Sequence, residues 1–96
     1  MLVVVCYDVS LLDDNGRRRL RRISKHCLDY GQRVQFSTYE CIVDPAQWIT
    51  LRNKLIEEMD ITVDSLRFYF LGKHWEKRIE SVGKKKAIDQ EEPLIL

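Results

Sequence analysis

Residues 2 to 7 are apolar with no alternation and stop abruptly at Asp8, the pattern of a central strand enclosed by its neighbours and covered on a face. Between Val9 and Gly16 the DDNG cluster supplies a loop and helix-capping residues, after which Leu20, Ile23, Cys27 and Leu28 recur at helical spacing. That spacing predicts a helix over roughly 16 to 30, ending near Gly31 as a left-handed cap. The stretch RVQFSTYECIV has strand composition throughout, yet its apolar parity changes: Val34 and Phe36 are even, whereas Tyr39, Cys41 and Val43 are odd. A period-two strand cannot change face without an interruption. Two short strands are therefore expected, about 33 to 36 and 39 to 43, with a tight turn or bulge at Ser37 and Thr38.

Asp44-Pro45-Ala46-Gln47 reads as a helix start: Asp44 as N-cap, Pro45 in the first turn, and Gln47 bonding back as in a capping box. The helix that follows carries Trp48, Leu51, Leu55 and Met59 on one face. After a loop at 60 to 64, Leu66, Phe68 and Phe70 alternate with Arg67, Tyr69 and Leu71 in a last strand. The order strand, helix, strand, strand, helix, strand fits an α+β ferredoxin-like sandwich over residues 1 to 72, two helices on one face of a four-stranded antiparallel sheet. Its other face is left open, and Tyr69 and Leu71 populate it. Residues 73 to 96 form a basic tail that closes on Leu94, Ile95 and Leu96, a very short strand in need of an edge from its own sheet or a second subunit.

Composition narrows this picture. The 96 residues are 45% hydrophobic and 32% charged, the balance of one water-soluble domain large enough to bury a core without covalent staples. The N-terminal apolar run is too short for a spanning helix or a signal-peptide core, and no basic leader precedes it, so a cytoplasmic protein is expected. Cys6, Cys27 and Cys41 form no C-x-x-C pair and read as reduced thiols. The net charge of +1 conceals two basic clusters, Arg17, Arg18, Arg19, Arg21 and Arg22 in one and Lys84, Lys85 and Lys86 in the other.

Asp8 leads the candidates for chemistry, because a carboxylate at the end of a central strand is held rigidly, as a metal ligand must be. A loop cap through Val9 and Ser10 is the alternative that stays open. One carboxylate is a poor magnesium site alone; a two-fold axis beside Asp8 would supply a second. Asp13, Asn15 and Gly16 echo part of a calcium loop, but its first position would be Leu11 and its last Arg22, so Asp13 and Asp14 read as turn and cap residues. His26 and His74 have no partner at zinc-ligand spacing. Projected at 3.6 residues per turn, Arg18, Arg21, Arg22, Lys25 and Asp29 lie opposite the apolar stripe, with Arg17 near its border. A solvated face is the ordinary meaning of such a ridge. Arginines this dense repel one another unless an anion relieves them, which favours a phosphate backbone. Gln35, Ser37 and Tyr39 offer further hydrogen bonds to phosphates or, equally, serve strand pairing.

Taken together in this order and spacing, VVVCYDVS, the arginine-rich helix start, DYGQRVQFSTYEC, DPAQW, DSLRFYFL and EEPLIL cover nearly the whole chain. They resemble the family of small CRISPR-associated protein 2, the ferredoxin-like partner of the integrase in spacer acquisition. The loop SLLDDNG is longer than in many members, and Thr38 stands where an aliphatic residue is common. The resemblance implies a homodimer whose open sheet faces pack together and whose C-terminal strands are exchanged. It also implies a magnesium site, which other divalent ions could fill, at the dimer interface built on Asp8 from each subunit, metal-dependent cleavage of single-stranded RNA or duplex DNA, and backbone contacts from Arg17, Arg18 and Arg19 with Ser10 and Ser37. It supports as well a non-catalytic dimeric scaffold that holds DNA for the integrase. A plain RNA-recognition module is disfavoured, since its aromatic K/R-G-F/Y motif is absent.

Overall fold

The computed structural model describes residues 1–12 and 14–83. The apolar run becomes β1 (Leu2–Asp8), followed by α1 (Asn15–Leu28), β2 (Gly31–Gln35), β3 (Thr38–Ile42), α2 (Pro45–Glu58) and β4 (Ser65–Gly72). The four strands form one antiparallel sheet in the order β2-β3-β1-β4, so β1 is central, between β3 and β4. This is the expected ferredoxin-like arrangement. A 3₁₀ turn at Trp75–Arg78, which the sequence pattern did not announce, follows β4. The expected terminal strand at Leu94–Leu96 and the lysines 84 to 86 lie outside the described residues.

Strand alternation divides the side chains between two faces. Val3, Val5 and Tyr7 of β1 and Tyr39 and Cys41 of β3 point toward the helices, where they meet Leu20, Ile23, Cys27, Trp48, Leu51 and Leu55 in a single core. Trp48 closes the β4 end of that core with its ring edge-to-face against Phe68 and Phe70, at 4.8 and 5.5 Å. On the opposite face stand Val4, Cys6 and Asp8, with Arg67 and Tyr69 beside them on β4. No helix among the described residues covers this face, and Tyr69 and Ile42 on it are exposed.

The start of α2 forms as its sequence dictates. The Asp44 carboxylate accepts the Gln47 N–H at 2.7 Å and the Gln47 side chain accepts the Asp44 N–H at 2.9 Å, a complete capping box with Pro45 in the first turn. The hairpin differs in detail. Its turn falls on Phe36 and Ser37, one residue before the expected place, and neither residue has positive φ. It is therefore not one of the primed two-residue turns; the extra residue Val34 bulges out of β2 and takes up the mismatch. The bulge also corrects the parity reading. Val34 is exposed, and the inward residue of β2 is Arg33, whose guanidinium lies 5.2 Å over the Tyr39 ring and donates to the Tyr39 hydroxyl (3.1 Å) and to Ser24 Oγ.

Gly31 is a second correction. It opens β2 and does not adopt the left-handed conformation of a helix cap; α1 ends at Leu28, with Asp29 still helical. Its need for glycine is steric, since a Cβ there would lie 1.8 Å from the Glu40 carbonyl oxygen of β3. Gly16 has the same role at the other end of α1, where a Cβ would lie 2.1 Å from the Ser10 carbonyl oxygen.

Candidate active site

Asp8 is the last residue of β1, paired with Ser65 of β4, and its side chain is exposed on the open sheet face. A hollow of about 460 Å³ opens beside it, lined by Cys6, Asp8, Ser37, Ser65, Arg67 and Tyr69 together with parts of Tyr7 and Leu66. Cross-strand pairing explains who is there: Asp8 faces Ser65, and Cys6 faces Arg67 one step along. Ser37 is brought in by the β2–β3 turn, its carbonyl accepting the Tyr7 N–H at 2.9 Å. Arg67 donates from Nη1 to the Tyr69 hydroxyl at 3.3 Å, which raises its already high pKa and keeps it cationic. Among the described residues no ion pair joins Arg67 to Asp8.

Directly behind Asp8, on the helix side of the sheet, is a residue the sequence did not single out. Asp64 ends the α2–β4 loop, and its buried carboxylate accepts five hydrogen bonds. These come from the Tyr7 hydroxyl (2.5 Å), Arg19 Nε (2.7 Å) and Nη2 (3.3 Å), the Ser10 N–H (2.8 Å) and the Asp60 N–H (3.1 Å). Burial works to raise its pKa, but the bonds from Arg19, Tyr7 and the two backbone amides outweigh it and hold the carboxyl at about 2. The Tyr7 hydroxyl is pushed the other way, by burial and by its bond to the Asp64 carboxylate, and stays protonated. Arg19 also reaches the Ser10 carbonyl at 3.3 Å. The two loops that flank Asp8, after β1 and before β4, are thus locked to α1 through one carboxylate.

The arginine cluster divides accordingly. Arg17, Arg18, Arg21, Arg22 and Lys25 are exposed along α1. Arg22 is 3.7 Å from Glu58 of α2, and His26 reaches the same carboxylate at 3.7 Å. Arg19, expected among the backbone contacts, is instead buried and committed to Asp64. The projection held part of the signal: at about 100° per residue Arg19 falls about 40° from Ile23, at the edge of the apolar stripe. Ser10 is half-buried in the loop held by Asp64, with its hydroxyl accepting from the Leu12 N–H. Gln35 is exposed at the end of β2, whereas Tyr39 is wholly buried and serves the core and Arg33. Asp14 stands at the N-cap position of α1 without a side-chain cap bond among the described residues, Asp13 lies outside them, and His74 is exposed before the 3₁₀ turn. The three cysteines are free thiols, Cys27 and Cys41 deep in the core.

Among the described residues no group of three metal-ligating side chains converges. Of the residues that line the hollow, Asp8 is the one carboxylate, a donor suited to a hard cation that keeps its waters and draws further oxygen ligands from a second carboxylate or from substrate phosphates. Magnesium, calcium or manganese suits such an oxygen donor, whereas a structural zinc site would need further nitrogen or sulfur ligands.

Comparison with known proteins gives a consistent result. The family model described as CRISPR associated protein Cas2 matches residues 1–79. The chain is 62% identical over 96 residues, the full length of both, to the CRISPR-associated endoribonuclease Cas2 of Chlorobaculum tepidum. It is 59% identical over 96 residues to that of Nitratidesulfovibrio vulgaris, covering all of this chain and 94% of the relative. A crystal structure of Streptococcus pyogenes Cas2 at pH 6.5 superposes with a TM-score of 0.77 at 48% identity, covering 86% of this chain and 100% of that one. By sequence across its length and by fold, the chain belongs to the CRISPR-associated Cas2 family.

Proposed function

We propose that this protein is a magnesium-dependent endonuclease that hydrolyses phosphodiesters of single-stranded RNA or duplex DNA, at a site shared between two protomers, and that it acts in CRISPR spacer acquisition with the integrase. The observation that carries this reading is the placement of Asp8: an exposed carboxylate on the rigid end of a central strand, in a hollow with serine hydroxyls and an arginine. The names of the relatives as endoribonucleases support it.

Asp8 would hold the metal ion, with its counterpart from a second copy completing the ligand set across a two-fold axis. When bound, magnesium supplies Lewis acidity toward the phosphate and lowers the pKa of a water. The chain's own residues do the rest. The sheet fixes Asp8, and the hydroxyls of Ser37 and Ser65 are available to phosphate oxygens. Exposed Arg17, Arg18, Arg21 and Arg22 hold the flanking backbone. Hydrolysis adds a water oxygen to phosphorus and breaks one P–O ester bond; the departing oxygen takes up the proton the water loses. In a magnesium-containing assay Asp8→Asn is expected to abolish cleavage and leave the dimer intact; undiminished cleavage would sink the catalytic role.

A second reading, a non-catalytic dimeric scaffold that presents DNA to the integrase, is favoured by one observation. The exposed arginines lie on α1 and need nothing from Asp8. The same variant separates the two: a scaffold retains spacer acquisition with Asp8→Asn, a nuclease required for that process does not.

A further inference from the structure

The hollow beside Asp8 contains one cation, Arg67, among the described residues that line it. Arg67 is on β4, the strand next to β1, and points to the same open face as Asp8. The register pairs Asp8 with Ser65 and Cys6 with Arg67, so the acid and the arginine are diagonal neighbours. Such neighbours are about 7–8 Å apart along adjacent strands. That spacing is within reach of a long side chain, yet among the described residues no ion pair forms across it. It is narrow enough for one phosphodiester group to lie between them.

Two further features distinguish Arg67 from an ordinary solvated arginine. Its Nη1 donates to the Tyr69 hydroxyl on the same strand at 3.3 Å, which favours one orientation of the exposed guanidinium and leaves its other N–H groups for a ligand. Its surroundings are also firm: Ser65 adjoins the buried Asp64, whose five hydrogen bonds anchor the start of β4. A planar, permanently charged fork held against a rigid sheet is the donor suited to a phosphate.

We propose that Arg67 is the phosphate-binding residue of the Asp8 site, its guanidinium taking a non-bridging oxygen of the scissile phosphodiester while Tyr69 orients it. The arginines of α1 then hold the strand on either side, and Arg67 is the arginine that meets an oxygen of the reacting phosphate. This rests on the nuclease reading of Asp8. Charge gathers on the non-bridging oxygens as water adds, so the contact strengthens toward the transition state.

The test compares Arg67→Ala, Arg67→Lys and Asp8→Asn by single-turnover cleavage of single-stranded RNA and duplex DNA oligonucleotides. Arg67→Ala is expected to slow the cleavage step about a hundredfold, with partial rescue in Arg67→Lys, which restores the charge without the fork. Binding provides the readout without catalysis: in the Asp8→Asn background, adding Arg67→Ala should weaken RNA binding about tenfold and lower its salt slope by about one phosphate contact. The dimer mass should not change. Full-rate cleavage by Arg67→Ala while Asp8→Asn is inactive overturns the role of Arg67 and leaves the nuclease reading standing. An unchanged affinity and slope, or a dimer that dissociates, also overturns it, the latter by making Arg67 an interface residue. Undiminished cleavage by Asp8→Asn overturns the nuclease reading and this proposal with it.

Discussion

Asp64 shows how a residue outside the candidate site can hold the framework around it. It collects a phenol, a guanidinium and two backbone amides in the layer directly behind Asp8. Its carboxyl is held at about 2, below its ordinary 3.8. Such a group stabilises the fold fully above its unfolded value, and the stabilisation is lost as pH falls from about 4 toward 2, on the order of 2 kcal/mol. Urea unfolding across that range should therefore show a steep acid limb that Asp64→Asn flattens. At neutral pH, Arg19→Ala should cost about 3–5 kcal/mol, the expense of leaving a buried carboxylate without its cation. None of this was legible in sequence, because Asp64 lies in a loop, 45 positions from Arg19 and 57 from Tyr7. A carboxylate before a strand reads as a turn residue until the fold brings its partners round. Asp8 was legible because its signal is local: a charge that ends an apolar run.

At the scale of elements, the pattern read well wherever a face is set by neighbours in sequence. Trp48, Leu51 and Leu55 are the buried side of α2, and Asp44 and Gln47 close its capping box. The reading failed where tertiary contact overrides local preference. In β2 the bulge at Val34 lets Arg33 take the inward position, where Ser24 and Tyr39 satisfy part of its hydrogen bonding; a hydrophobic count favours Val34 every time. By sequence Gly31 reads as the end of a helix, but its constraint comes from β3. Because the obstructing atom is a backbone carbonyl, Gly31→Ala forces the β2–β3 pair apart and should lower stability by about 1–3 kcal/mol, seen as a reduced urea midpoint. Ala in place of a left-handed helix cap would cost less and leave the hairpin unaltered.

Across the whole molecule, a formal charge of +1 is arranged as a basic helix on one layer and a mixed hollow on the other. Replacing Arg18, Arg21 and Arg22 by Ala should weaken DNA binding and flatten its dependence on salt, since each lost phosphate contact removes about 0.9 from the logarithmic slope; Arg22, already near Glu58, should contribute least. An unchanged slope would mean that the ridge faces only water. The Asp64 clamp bears on how such a molecule moves. It fastens α1, which carries the basic ridge, to the strands that carry Asp8 and Arg67. Gly16 brings the same helix hard against the Ser10 backbone. On the proposed nuclease reading, the arginine ridge and the Asp8 site are therefore tied together among the described residues through one carboxylate. If the ridge and Asp8 act as proposed, a bound strand would bring its phosphate to the acid by its own bending or by a shift between two copies of the chain.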